Sequence, residues 1–447
     1  MTHTEGDSNT TQARATWQAQ TQRPETRDLL ARDARAFLHQ SLSSPCLSTI
    51  AKAEGIWIED TDGRRFMDFH GNSVHHLGYG HPRLIAAIKD QLDSLPFSPR
   101  RFTNDPAVEL AEKLGEVAPG RLNKVLFTTG GSDANEVALK IARAATGRFK
   151  TLSFWDSFHG AGFGAASIGG EATFRSHIAG PLLPGTEHVA PFHPTRCPYG
   201  HADIEASAAA CAKMIDYVLG RDGDYAAFVA EPMRAIPIVP PPGFWKAVRA
   251  ACDRHGVLLI LDEIPTGLGK TGSFFTFEQD DVVPDIVTLG KSLGGGVLPL
   301  AAVIAREDLD VCGDYAIGHY THEKNPVTAR AGLTTIQIIE EEGLVDRSAR
   351  LGCAAVDRLH ERLGDHPHVG DVRGRGLMWG VEIVTDRDTR QEDPDRAERI
   401  FYACLAQGLS FKISAGNVLT LSPPLTISEA DLNRALAIVE EAILQDT

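Results

Sequence analysis

A chain of 447 residues with 43% hydrophobic content can bury a large core and has room for more than one domain. Its formal charge of −15 argues against general nucleic-acid binding, and no apolar run supports export or a membrane span. Seven cysteines, odd in number and without a CxxC pair, point to reduced thiols in a cytoplasm.

Residues 1–35 are polar and rich in Thr, Gln and Arg, and read as a frayed arm or a helix lying on a partner. A strand and turn around Gly55 to Asp60 open a small N-terminal segment that runs to residue 69. From about His70 to Asn325 strands alternate with helices, which predicts a mainly parallel sheet covered on both faces. Within it, Val125 to Thr129 reads as a strand, Gly130, Gly131 and Ser132 as a turn, and Asp133 to Arg143 as a helix. That order makes an anion site, because free backbone N–H groups and the positive dipole end face a ligand, although a plain connection can look the same. Thr151 to Trp155 is a further apolar segment, followed by Phe158-His159-Gly160, whose aromatic ring either fills the core or faces a ligand ring. Gly160 to Gly200 is rich in Gly and Pro and is expected to be an irregular loop over the site.

Gly256 to Asp262 is a continuous apolar run ending in a carboxylate, which places Asp262 at the carboxyl edge of the sheet, where α/β proteins bind ligands. Ile286 to Leu289 is a second buried run that turns on Gly290 into Lys291. A lysine at a buried strand end is costly unless its charge is used or removed, and Schiff-base chemistry needs such a desolvated amine. A P-loop would need glycine at 285, where the chain has aspartate. An aspartate and a lysine at neighbouring strand ends match pyridoxal phosphate: the lysine holds the aldehyde as an imine and the aspartate keeps the ring nitrogen protonated. Beyond Pro326 a long helical pattern leads to Val372-Arg373-Gly374, Arg396 to Gln407 reads as helix, and Ser428 caps a last helix through Ile443.

The order Gly-Gly-Ser, Phe-His-Gly, Glu231-Pro232, Asp262-Glu263 and Gly290-Lys291 resembles the class III, ω-aminotransferase-like pyridoxal-phosphate enzymes of fold type I. Gly78-Tyr79-Gly80-His81-Pro82, Asn325-Pro326 and Gly376-Leu377-Met378 extend the resemblance from about Pro45 to the C-terminus. It implies an α/β fold with a mostly parallel, seven-stranded-type sheet in a large domain, residues 70–325. A small α+β domain would be formed by both chain ends, residues 1–69 and 326–447. It implies pyridoxal 5'-phosphate as cofactor, carried by Lys291, with Asp262 on the ring nitrogen and Phe158 stacked on the ring. Gly130, Gly131 and Ser132 would hold the phosphate, and His159, Glu231 and Ile264 would line the cofactor. Thr321 would reach the phosphate of a neighbouring subunit in a homodimer.

Departures from the family bear on substrate. Many members carry an arginine before the Pro-Pro-Leu turn to bind a substrate carboxylate, and here Thr420 stands in its place. Threonine cannot make the bidentate, charge-assisted pair that a guanidinium makes, which weakens the transaminase reading. Pro265 replaces a common glutamine. Residues 97–104, Ile264-Pro265-Thr266 and His322-Glu323-Lys324 resemble the (R)-1-hydroxy-2-aminoethylphosphonate ammonia-lyases. That resemblance implies a small primary amine substrate bearing a phosphonate, with Arg100, Arg101 and Lys324 as cationic partners; a solvated loop pair is the plainer reading of Arg100-Arg101. A class III ω-transaminase and a related phospho-lyase are the alternatives.

Other signals are weaker. Gly267 to Gly272 fits GxGxxG, but Ser273-Phe274-Phe275 follows rather than a helix, so a dinucleotide site is not expected. His188, His193, Cys197 and His201 lack zinc spacing, and no metal site is expected. His70, His75, His76 and His81 flank a turn and read as hydrogen-bonded structural groups.

Overall fold

The computed structural model describes residues 11–41, 43–176 and 180–446; the first ten residues of the expected arm and residues 177–179 of the Gly160 to Gly200 stretch lie outside them. The chain forms two compact units, Met1–Gly71 with Leu77–His81 and Arg350–Thr447, and Asn72–His76 with Pro82–Ala349.

In the first unit, α1 (Gln12–Thr21) and α2 (Pro24–Ala36) form where a frayed arm was one expectation. The reason is aromatic burial: Trp17 is buried, packs on Tyr402 of the same unit with ring centroids 6.1 Å apart, and lies under the Arg64 guanidinium. Strands β1 (Lys52–Glu54), β2 (Trp57–Glu59) and β3 (Arg65–Asp68) follow as an antiparallel ribbon. Residues 77–81 belong to this unit and not to the larger one, because Tyr79 exchanges backbone hydrogen bonds with Gly55 and donates its hydroxyl to Asp68 at 2.6 Å.

The larger unit begins with α3 (Pro82–Ser94) and α4 (Asp105–Val117). Its sheet strands are β4 (Leu122–Thr128), β5 (Lys150–Phe154), β6 (Thr186–Val189), β7 (Tyr225–Ala230), β8 (Leu258–Asp262), β9 (Ile286–Leu289) and β10 (Ala301–Arg306). They lie in the order β4-β10-β9-β8-β7-β5-β6. β5 to β9 pair in parallel, while β10 runs antiparallel to both β4 and β9. The link from Leu289 to Ala301 carries no crossover helix, so β10 returns in the opposite sense. β7 and β8 are buried at every residue, as their unbroken apolar runs require.

Helices α5 (Gly131–Thr146), α6 (Phe163–Ile168), α7 (Ala172–Arg175), α8 (Ile204–Asp222) and α9 (Phe244–His255) connect these strands. Ala134, Val137, Ala138 and Ile141 of α5 share one core with Val229, Ile260 and Ile286. The Gly160 to Gly200 stretch is therefore not wholly irregular: it holds α6, α7 and the edge strand β6. β6 escapes a pattern-based reading because Thr186-Glu187-His188-Val189 buries only its last residue. α10 (Pro326–Glu341) also belongs to this unit, packed on α3 and α4, and the unit boundary falls between Ala349 and Arg350, within α11 (Leu344–Leu363), rather than at residue 326.

The rest of the first unit comprises β11 (Val369–Arg375), β12 (Met378–Ile383), α12 (Pro394–Ala406), β13 (Leu409–Ser410), β14 (Lys412–Ser414), β15 (Val418–Leu421) and α13 (Glu429–Gln445). β11-β12-β15-β14 form an antiparallel sheet, and β13 joins β3 in parallel, tying the two chain ends into one unit. Ser428 caps α13 by accepting from the Asp431 N–H at 3.0 Å. Among the described residues, no helix is long and apolar enough to cross a membrane.

Candidate active site

The carboxyl ends of β8 and β9 and the N-terminus of α5 converge on Asp262. This carboxylate is 2% exposed, so its charge depends on the donors around it. Oδ2 accepts from Asn135 Nδ2 at 2.9 Å and from His159 Nδ1 at 2.8 Å, and Oδ1 accepts from the Ile264 N–H at 3.1 Å. Asn135 is itself locked: its amide also donates to the His159 carbonyl at 2.7 Å, and its oxygen accepts from the Thr288 hydroxyl at 3.0 Å. Thr288 sits opposite Asp262 in the β8–β9 ladder. The sequence reading missed Asn135 and Thr288. A signal for the first existed: an asparagine heads the buried row Ala138, Leu139 and Ala142 on α5, where an apolar residue is the rule.

Lys291 follows Gly290 at the end of β9 with φ 47, a left-handed conformation that a lysine adopts only when its surroundings impose it. Burial pushes its amine pKa down, while the charges of Asp262 and Glu231 pull the other way. An amine so placed holds its proton less firmly than a solvated lysine, as a nucleophile or base requires. Glu231 directly follows β7, is 7% exposed, and accepts from the Ala235 N–H at 2.8 Å. Burial raises its pKa, with His159 opposing and Asp262 adding to the rise.

The glycine turn forms a cup. Gly130 caps α5 without any side-chain hydrogen bond, which leaves the first N–H groups of a 16-residue helix for a ligand. A Cβ on Gly131 would lie 2.5 Å from Ile264 Cδ1, so only glycine fits without moving that side chain. Gly160, at φ +133, passes so close to Ser132 that a Cβ there would meet its Oγ at 2.6 Å. The Ser132 hydroxyl accepts from the Gly162 N–H at 2.9 Å, leaving its own proton to donate. Phe158 precedes this turn, 39% exposed, with Phe174 against it at 4.4 Å between centroids.

The remaining expected residues fall elsewhere. Thr321 is exposed in the single chain, in a turn that also carries His322 and Lys324. Arg100 Nη2 meets His319 Nε2 at 2.8 Å, Phe97 packs edge-on to His322, and Asn104 donates to the Lys324 carbonyl at 2.9 Å. The loop at 97–104 is thus docked on the Thr321 segment, with Arg100 and Arg101 exposed. Thr420 lies in β15 of the other unit, buried, its hydroxyl already donated to Ser414 at 2.9 Å. The histidines weighed for metal binding have local uses: His188 Nε2 meets the Gly169 carbonyl, and His193 Nδ1 accepts from the Thr195 and Arg196 N–H groups. His76 Nε2 meets the Gly267 carbonyl at 3.1 Å.

A family description, aminotransferase class-III, matches residues 39–443. The chain belongs to that family. It is 45% identical over 453 residues to the (R)-1-hydroxy-2-aminoethylphosphonate ammonia-lyase of Vibrio splendidus (strain 12B01), covering 98% of this chain and 94% of that protein. It is 36% identical to the leucine/methionine racemase of Thermococcus litoralis, covering 93% of this chain and 95% of that protein. A crystal structure of a Bacillus anthracis aminotransferase superposes with a TM-score of 0.86 at 32% identity, covering 95% of this chain and 100% of that one. Enzymes of the class III family use pyridoxal 5'-phosphate, and the residues present fit it. A buried carboxylate at a strand end, a desolvated lysine, an uncapped helix N-terminus and a glycine with no room for a side chain are the donor set and shape it requires.

Proposed function

We propose that this class III enzyme is an ammonia-lyase that converts (R)-1-hydroxy-2-aminoethylphosphonate to phosphonoacetaldehyde and ammonia. The observation that carries this reading is the 45% identity, over nearly the full length of both chains, to a protein named for that reaction. The sequence departure at Thr420 supports it, since a threonine standing where many members carry arginine cannot make the bidentate pair with the carboxylate of a 2-oxo acid.

When bound, the cofactor supplies an electron sink for the carbon that carries the amine. Lys291 would hold the cofactor and take the proton from that carbon. Asp262, fixed by Asn135 and His159, would keep a proton on the ring nitrogen, and Phe158 would cover the ring face. Gly131, Ser132 and the α5 N-terminus would bind the phosphate, Ile264 would back the cup, and Thr321 of a second subunit would complete it. Arg100, Arg101 and Lys324 would meet the phosphonate. In the elimination the C–H bond breaks at the amine-bearing carbon and the C–O bond breaks at its neighbour. Water leaves, and the enamine then hydrolyses to aldehyde and ammonia. We place the protein in a cytoplasm as a homodimer: all seven cysteines are free thiols, and Thr321 is exposed in the single chain.

The second reading, a transaminase, is favoured by the likeness to the aminotransferase structure. The deciding assay incubates the holoenzyme with the hydroxylated aminophosphonate and no oxo acid. Ammonia and aldehyde in equal amounts support the lyase; in a parallel incubation with pyruvate, alanine formed without ammonia rejects it.

A further inference from the structure

Two loops of the larger unit, residues 97–104 and 317–325, fold onto each other. The first is closed on itself: the Phe102 N–H donates to the Pro99 carbonyl at 2.8 Å, and the Ser98 hydroxyl donates to the Phe102 carbonyl at 3.2 Å. Both its ends are pinned to the second loop. Phe97 packs against His322 with ring centroids 5.5 Å apart, and the Asn104 amide donates to the Lys324 carbonyl at 2.9 Å while its oxygen caps α4. The second loop is anchored on α5, where Lys140 donates to the Ile317 carbonyl at 3.0 Å and the Tyr320 hydroxyl lies 3.5 Å from the Asp133 carbonyl oxygen. Asp133 is in the first turn of that helix, whose N-terminus forms the cup.

These contacts fix where the Arg100 side chain starts, and one further contact fixes where it points. Arg100 Nη2 meets His319 Nε2 at 2.8 Å. A guanidinium has donors only, so Nε2 accepts and the imidazole proton lies on Nδ1. His319 is thus an uncharged acceptor in this contact, and among the described residues Arg100 is paired with no carboxylate. A carboxylate partner would cancel the positive charge. An uncharged acceptor orders the side chain, occupies one of its N–H groups, and leaves the charge and the other donors for a ligand. His319 itself sits at φ 44, a left-handed conformation that favours glycine. Side chains held in such sparsely populated conformations cluster at functional sites.

We propose that His319 is a positioning residue that orders Arg100 to bind the phosphonate group of the substrate. This inference rests on the lyase reading above, in which Arg100 meets that group. An exposed arginine loses rotamer freedom when it takes a ligand, and a side chain already held in place is spared that loss. The gain applies to a ligand with a dianionic group and not to a simple amine. His319 therefore contributes to substrate selection without touching substrate or cofactor.

The test compares wild-type holoenzyme with His319→Gly, a substitution that the left-handed backbone accepts without strain. KM for the hydroxylated aminophosphonate should rise about 2- to 10-fold at unchanged kcat. His319→Gln, which keeps an acceptor, should recover most of that affinity. His319→Lys, which offers none and adds a like charge, should not. Because His319 acts through Arg100, the variant carrying both Arg100→Ala and His319→Gly should have the KM of Arg100→Ala alone. An unchanged KM in His319→Gly, or losses that multiply in the double variant, overturns the inference. Calorimetric binding of methylphosphonate to the holoenzyme needs no turnover and separates this inference from the reading it rests on. If the wild type releases no ammonia, the lyase reading fails and methylphosphonate decides the anion site alone: weaker binding in His319→Gly supports it, and equal affinity or no binding overturns it.

Discussion

Replacing Asn135 with alanine removes one side chain that bonds to three other residues. The amide donates to Asp262 at 2.9 Å and to the His159 carbonyl at 2.7 Å, and accepts from Thr288 at 3.0 Å. The residue is 1% exposed, so bulk water cannot replace those bonds. The bond to the carboxylate is charge-assisted and contributes about 1.5–3 kcal/mol, and the two neutral bonds about 1 kcal/mol each. Partial relaxation of the neighbours leaves an expected loss of about 3–4 kcal/mol, reported by urea unfolding of the cofactor-free protein at neutral pH. Asn135→Asp should cost more, because it sets a second carboxylate beside Asp262, and part of that loss should return as pH falls and one of the two is protonated. Cofactor binding, followed by absorbance, should weaken in both variants. An Asn135→Ala loss below about 1 kcal/mol, with cofactor affinity unchanged, would refute the view that this residue fixes Asp262.

Three further outcomes are expected. Gly131→Ala should weaken cofactor binding on the order of 10-fold, because its Cβ must displace Ile264, with Ile264→Val restoring much of the affinity; absorbance titration decides. Glu263 accepts from the Thr266 hydroxyl at 2.9 Å and the Phe277 N–H at 3.1 Å, and burial pushes its pKa up to about 7. An unfolded glutamate titrates near ~4.3, so between there and about pH 7 the folded state binds the extra proton and stability falls as pH rises, by about 3 kcal/mol. Unfolding curves of Glu263→Gln should lack that part of the slope, and a slope identical to wild type would contradict it. Arg100→Ala should raise KM for the phosphonate substrate on the order of 10-fold at unchanged kcat, and leave a simple amine unaffected; steady-state kinetics with both compounds provides the check.

The parts of the site that were legible in the chain are those whose cause is local. Asp262 and Lys291 stand at the ends of short, mostly apolar runs that are buried throughout, the pattern of a strand covered on both faces. The turn of Gly130, Gly131 and Ser132 precedes a helix whose spacing is plain. β6 was not legible, because an edge strand needs no apolar alternation. Nor was the place of α10: the pattern shows that Pro326–Glu341 is a helix, while its packing on α3 and α4 depends on residues some two hundred positions earlier.

Residue order alone therefore set the lysine and the carboxylate of the candidate site at two strand ends, since each is fixed by the chain next to it. Tertiary structure decided what holds them. Asn135 and His159 lie 127 and 103 residues from Asp262 and meet it only because the strand and helix ends carrying them converge at one edge of the sheet. It likewise buried Glu171, and burial, a property of the folded molecule and not of any segment, pushes that carboxyl up to about 7.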